Sequence, residues 1–297
     1  MSRRRFFLFL GIAAFLFSLA ALWQWRAREN DGSAALARGI AALEAGDART
    51  ARVELMNAMR ADPRSVAARI AQARALVELG DGAGAQAEIA QARRLDGDPA
   101  EMRVPMAAAL LLQGNADGAL REAQAEDLPR DAAAAAQRIV ARALATRGDP
   151  GTPAAFRRAL ELAPDDAETW VELGRYRLGQ GDQAGAILAA DQAVARAPDD
   201  VKALTLRAEL TRDQYGLVAS LPWFEKAIAV NHDWVPALTA YAATLADAGK
   251  AGRMLSVTRR ILAVDPGNPR AYLMQAVMAA RAGRDDLARS LLTRTDG

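Results

Sequence analysis

The side chains that most often carry out catalysis or bind metals are scarce in this sequence. There is no cysteine, and the single histidine, His232, lies in a predicted loop before Trp234. A lone histidine does not supply the ligands of a usual zinc site. The sequence also lacks a Gly-Lys-Ser/Thr phosphate loop, a Gly-x-Ser-x-Gly elbow and a Gly-x-Gly-x-x-Gly turn. It therefore predicts a protein that is not an enzyme and that uses no cofactor or metal.

Charge is unevenly distributed along the chain. The net charge is +2, but residues 1–28 hold five arginines and no acidic side chain, which leaves the remainder at −3. A nucleic-acid-binding domain carries a basic patch on its folded part. The charge distribution therefore predicts that nucleic acid is not a partner.

The basic N-terminal arm flanks an apolar segment. Residues 6–25, from Phe6 to Trp25, form one uninterrupted uncharged run. As a helix this run would span about 30 Å, the thickness of a bilayer core. We therefore expect a membrane partner through a transmembrane anchor at residues 6–25, preceded by a basic tail at 1–5 and followed by a linker at 26–31.

Two interpretations of the apolar segment remain open. As an uncleaved anchor it predicts a single-pass inner-membrane protein, because the arginines before the run place the N-terminus in the cytoplasm and the rest in the periplasm. As a signal peptide cleaved after Ser18-Leu19-Ala20, it predicts secretion into the periplasm. The apolar run continues through Trp23, beyond that cleavage site, which favours the anchor.

The composition favours a helical fold. Hydrophobic residues make up 52% of the chain but aromatic residues only 5%, so most apolar side chains are small or aliphatic. Alanine, the best helix former, is prominent among them. A chain of 297 residues exceeds the usual size of one hydrophobic core, whereas a repeat array adds length without thickening its core.

One stretch of the chain carries a known repeat pattern. Residues 167–200 combine an aromatic residue, a Leu-Gly pair, small residues and a closing proline, namely Trp170, Leu173, Gly174, Ala186, Ala193 and Pro198. This pattern resembles the tetratricopeptide repeat (TPR), whose period is about 34 residues. Steps of that period, with the fourth repeat one residue short, place repeat starts at residues 32, 66, 100, 134, 167, 201, 235 and 269. The resemblance implies an all-α, right-handed superhelix of about eight helix-turn-helix repeats over residues 32–297, preceded by one transmembrane helix.

The eighth position of each repeat supports this register. All eight residues at that position are glycine or alanine, namely Gly39, Ala73, Ala107, Ala141, Gly174, Ala208, Ala242 and Ala276. Small residues allow two helix axes to approach to about 8 Å. We therefore expect these positions to lie at the crossings between paired helices.

Some repeats depart from the pattern. Pro105 and Pro222 fall inside predicted helices, and Met254 and Ile261 replace small residues in the seventh repeat. Because proline removes a helix hydrogen bond and large residues hold helices apart, we expect these repeats to be bent or locally weakened.

The TPR resemblance also implies a binding surface. In that family the first helices line a concave groove, into which positions 5 and 9 point. The corresponding side chains here include Leu36, Ile40, Ile70, Arg74, Arg138, Arg142, Val171 and Arg175. We expect Arg138, Arg142 and Arg175 to bind an acidic peptide or a C-terminal carboxylate, since guanidinium groups pair with carboxylates. The alternative is that these arginines are solvated or paired within the chain.

These features together predict a protein-protein interaction scaffold, or an assembly or chaperone factor, at the bacterial cell envelope. Its partners would be proteins or peptides bound in the groove. The groove lacks the asparagines of the carboxylate clamp in chaperone-binding TPR domains, so the sequence does not predict the chaperone-binding role of those domains for this chain. Alternatives are an accessory subunit of a complex for cytochrome c maturation, polysaccharide synthesis or outer-membrane assembly, and a cytoplasm-facing adaptor with reversed topology.

Overall fold

The computed structural model describes residues 31–295, and within that range the chain consists of α-helices joined by short turns, without strands. The first helix, α1, covers residues 31–44. The others are α2 (Ala48–Ala61), α3 (Val66–Glu78), α4 (Gly82–Arg94), α5 (Pro99–Leu112), α6 (Ala116–Ala123), α7 (Ala133–Thr146), α8 (Thr152–Leu162), α9 (Ala167–Gly179), α10 (Gln183–Arg196), α11 (Val201–Tyr215), α12 (Leu217–Val230), α13 (Val235–Asp247), α14 (Ala251–Val264), α15 (Pro269–Arg281) and α16 (Asp285–Leu292).

The odd-numbered helices begin in the register that the sequence predicts. Helices α3, α9, α11, α13 and α15 start at the predicted repeat starts, and α5 and α7 start one residue earlier. Such a difference is within the usual uncertainty of helix boundaries. Each repeat is therefore an odd-numbered helix followed by an even-numbered one.

The turns between paired helices are built from a glycine followed by a polar cap. Gly46 and Gly80 have φ values of 74° and 81°, a conformation that glycine adopts without steric cost. The next residue caps the second helix, because Asp47 Oδ1 accepts a hydrogen bond of 3.0 Å from the Thr50 amide. Asp81 caps α4 in the same way. These turns explain the recurrence of Gly-Asp pairs in the sequence.

The described chain divides into two compact units, with the boundary inside α8 between Arg158 and Ala159. In the first unit each helix from α2 to α6 packs against the next one along the chain. In addition, α3 packs against α5, and α5 packs against α7. In the second unit α9 to α16 follow the same rule, with α9 on α11, α11 on α13 and α13 on α15. In each unit the first helices of successive repeats therefore form one layer, as stacked helix pairs require.

The predicted crossing residues all lie in the interior. Gly39 and Gly174 are buried, and the six alanines at the same repeat position are at most 2% exposed. A Cβ atom added to Gly174 would lie 2.8 Å from Leu206 Cδ2 and 3.4 Å from the carbonyl oxygen of Ala186. A larger residue at this position would therefore have to displace the Leu206 side chain.

The unusual repeats are accommodated in different ways. Helix α5 continues through Pro105, which is buried, and α12 continues through Pro222. Met254 and Ile261 are completely buried in a cluster with Phe224, so they form part of the core. Large side chains at these positions therefore fill interior space in the seventh repeat.

The predicted membrane segment, Phe6–Trp25, lies outside the described residues, as do the basic tail and residues 26–30 of the linker. Within residues 31–295, none of the helices combines the length and apolar character that a bilayer crossing requires.

Candidate functional site

The first helices of the first unit present one shared face. Positions 5 and 9 of a repeat lie one helical turn apart and so project from the same side of the helix. Because α3 packs on α5 and α5 on α7, these sides are adjacent. Among the predicted groove residues here, Leu36, Ile40, Ile70 and Arg138 are partly exposed and Arg74 is exposed. The first-helix face, as we call this surface, is therefore accessible to a partner.

The chemistry of the first-helix face changes along the unit. Leu36 and Ile40 on α1 rest partly on an apolar core of α2 and α3, and Ile70 does the same on the next core cluster. Helix α7 instead carries Arg138 and Arg142, one turn apart and partly exposed. Both arginines already interact within the chain. The α1 part of the face is therefore apolar, α3 combines Ile70 with the exposed Arg74, and α7 is basic.

The three arginines that the sequence grouped together fall in two different units. Arg138 and Arg142 belong to the first unit, whereas Arg175 belongs to the second, on α9, where it is exposed. Val171, one turn before Arg175, is only 1% exposed and packs with Ala186 and Leu206. It therefore stabilises the core of the second unit and offers almost no surface to a partner.

An acidic residue that was not among the predicted site residues accompanies Arg175. Glu209 occupies the same repeat position on α11 and is partly buried. Burial raises the pKa of the Glu209 carboxyl above its ordinary value, the positive charges of Arg175 and Arg212 oppose that rise, and Asp213 adds to it. Because Glu209 lies one full repeat after Arg175, the repeat period alone could have identified it.

The described residues hold no group of three or more histidine, cysteine, aspartate or glutamate side chains that could bind a metal ion. His232 is exposed in the turn before α13. What the first-helix face does offer is apolar surface next to guanidinium groups, which bind carboxylates through paired hydrogen bonds. Such a surface is suited to recognising a polypeptide.

Family models decide which repeat this is. Two models, both described as the tetratricopeptide repeat, match residues 42–103 and the overlapping stretches 153–201 and 171–229. Residues 42–103 and 153–229 therefore carry tetratricopeptide repeats. The matches fall in both units, and TPR proteins typically mediate protein-protein interactions.

Comparison with solved structures supports the TPR fold. A chain from the structure titled "Crystal structure of APC/C hetero-tetramer Cut9-Hcn1" superposes with a TM-score of 0.63 at 13% identity, over 88% of this chain and 52% of that chain. Two structures of MamA also match, with TM-scores of 0.42 and 0.46 at 17% and 19% identity, over 64% and 56% of this chain and 92% and 91% of theirs. A search of curated proteins gives no match. At 13% identity the likeness to the chain of the Cut9-Hcn1 structure concerns the fold alone and carries no function across.

Proposed function

We propose that this TPR protein is a non-catalytic scaffold or assembly factor at the bacterial cell envelope. Residues 6–25 hold it in the inner membrane, and the repeats bind a partner protein on the periplasmic side. The partner lies against the first-helix face of the first unit, and an acidic segment of it pairs with Arg138 and Arg142.

The observation that carries this proposal is the lateral packing of α3, α5 and α7. It joins the exposed sides of three repeats into one surface long enough for an extended peptide or a helix. Helical grooves of this kind bind peptides through apolar contacts and use charged groups for specificity. The apolar region around Ile70 and the basic pair on α7 supply both kinds of contact.

The membrane part of the proposal is supported by the uncharged run at residues 6–25 and the arginines before it. A reporter enzyme that is active only in the periplasm, fused after Gly297, tests this topology. Activity is expected in the periplasm. Activity of a cytoplasm-specific reporter at the same position would contradict this topology and favour the cytoplasm-facing adaptor.

Crosslinking and affinity capture from native membranes test the partner site. The intact protein is compared with Arg138→Glu/Arg142→Glu and with Arg157→Glu/Arg158→Glu. The control pair is exposed on α8, a second helix, and undergoes the same change in charge.

We expect envelope proteins to be captured by the intact protein and by the control, and to be lost from the α7 variant. Equal capture by all three proteins would contradict the role of Arg138 and Arg142. Capture of cytoplasmic proteins alone would contradict the envelope function, and capture of one biosynthetic complex in fixed proportion would define the protein as its accessory subunit.

A further inference from the structure

One side of α2 combines arginines with exposed apolar residues. At 100° per residue, Arg49, Val53, Met56 and Arg60 fall within a narrow sector of the helix, and Arg52 flanks them. All are exposed, and the large apolar members Val53 and Met56 are 53% and 39% exposed. The opposite side of α2 holds its buried residues. We call the five exposed side chains the α2 stripe.

Acidic side chains near α2 are directed away from the α2 stripe. Glu54 lies on the flank, where its Oε2 atom pairs with Arg38 of α1 at 2.8 Å. Asp47 and Asp62 lie at the two ends of the helix, where their carboxylates accept hydrogen bonds from the backbone amides of Thr50 and Arg64. The five residues of the stripe therefore include three arginines and no acidic residue, and Arg49 and Arg60 also make contacts within the chain.

The chain before α1 restricts where this surface can lie. Only residues 26–30 separate the uncharged run from residue 31, and they span at most about 20 Å even when fully extended. Gly32 abuts the C-terminal end of α2, since a Cβ atom added to it would lie 2.9 Å from Ala61 Cβ. Neighbouring helix axes are only about 8–10 Å apart. The Arg60 end of α2 is therefore held close to the membrane surface when residues 6–25 span the bilayer.

From the charge of the α2 stripe and this short tether, we infer that α2 lies on the anionic phospholipid headgroups of the membrane. Arg49, Arg52 and Arg60 pair with lipid phosphates, and Val53 and Met56 enter the boundary between headgroups and acyl chains. A helix with a basic and apolar face binds anionic bilayers in this way. The inference rests on the membrane anchor of the proposed function, and it fixes the first repeat against the bilayer.

The absence of native cysteine allows a direct test. The full chain with Val53→Cys carries an environment-sensitive fluorophore and is reconstituted into vesicles of phosphatidylcholine, with or without phosphatidylglycerol. A quencher attached to lipid headgroups reports contact. The matched control is Leu188→Cys, an exposed residue at the same repeat position on α10 of the second unit.

With phosphatidylglycerol present, the fluorophore at position 53 is expected to shift to the blue and to be quenched, while the one at position 188 is not. The triple variant Arg49→Gln/Arg52→Gln/Arg60→Gln should lower the docking equilibrium about fivefold per arginine, or about 100-fold in all. High salt should act in the same direction. The same substitutions at Arg157, Arg158 and Arg281, which are exposed on α8 and α15, should have no effect.

Flotation of the same vesicles separates the two proposals. One outcome is that the protein floats with both lipid mixtures while the fluorophore at position 53 stays as exposed to water as the one at 188. That result would support the membrane anchor and contradict the contact between α2 and lipid. If the protein floats with neither mixture, both the anchor and the contact through α2 are wrong.

Discussion

The first two repeats, in the first unit, and the seventh repeat, in the second, fill the same two positions of the second helix differently. Positions 20 and 27 are the buried alanines Ala51, Ala58, Ala85 and Ala92 in the first two repeats, whereas the seventh repeat buries Met254 and Ile261 there. Large buried side chains occur in both units, since Phe156 of the first unit and Phe224 of the second are each at most 1% exposed. One repeat pattern therefore accepts either small or large side chains at these two positions.

Ion pairs join helices both within and between repeats. In the first unit Arg69 pairs with Glu88 at 2.8 Å, which joins the two helices of one repeat, and Arg147 pairs with Asp117 at 2.7 Å, which joins consecutive repeats. In the second unit Lys202 pairs with Glu168 at 3.0 Å, and this pair also joins consecutive repeats. Both units therefore have ion pairs that reinforce the stack of repeats.

The largest effect should follow from removing a core side chain of the second unit. Phe224 is fully buried, so Phe224→Ala leaves a cavity and should lower the free energy of unfolding by about 3–5 kcal/mol. Urea unfolding measures the loss, and hydrogen exchange should place it in α11 to α14. Equal loss of protection in α3 and α4 would contradict an effect confined to the core cluster around Phe224, and Phe224→Leu should be milder.

A smaller effect is expected at the tight crossing of the fifth repeat. Gly174→Leu places a large side chain where even a Cβ atom meets Leu206, and it should destabilise the fold by about 1–3 kcal/mol. The control is Gly179→Ala on the same helix, where an added Cβ meets nothing within 4 Å. It should raise stability by about 0.5 kcal/mol. An unchanged melting temperature for Gly174→Leu would contradict the register of the repeats.

The pH dependence of stability should differ between the units. Burial raises the pKa of Glu209 in the second unit, so the folded protein binds this proton more readily than the unfolded chain. The ionised Glu209 carboxylate therefore lowers the free energy of unfolding at neutral pH. This loss disappears as the pH falls through the raised pKa. Glu209→Gln should raise the melting temperature slightly at pH 7 and leave it unchanged at pH 3. A lower melting temperature at pH 7 would mean that attraction to Arg175 outweighs burial.

The smallest effect, with the opposite sign, should come from the first unit. The hydrogen bonds that Arg103 donates hold the pKa of Asp127 below its ordinary value. This contribution to stability is present at neutral pH and is lost as the pH falls through the lowered pKa. Asp127→Asn should therefore lower the melting temperature slightly at pH 7, with no difference at pH 2. A loss of equal size at both pH values would indicate a cause other than charge.

The helical register could be predicted because its signals repeat locally. Small residues at the crossings, glycine in the turns and a polar residue after the glycine recur from one repeat to the next, and each is required by backbone geometry. Gly174 and the Gly46-Asp47 turn illustrate both requirements.

The exposure of individual side chains on the first-helix face could not be predicted in the same way. Val171 and Ile70 occupy the same repeat position, but only Val171 is fully covered, because the depth of each contact depends on the sizes of its neighbours. The boundary between the two units inside α8 also could not be predicted, because the repeat spacing continues across it.

Site-specific photo-crosslinking tests the central claim most directly. A photoreactive amino acid replaces Arg74 on the first-helix face, or Arg157 on the second helix α8, in the intact protein in native membranes. The proposed function predicts that position 74 crosslinks to an envelope protein and that position 157 does not. Crosslinks of equal yield at both positions, or at position 157 alone, would contradict partner binding on the first-helix face.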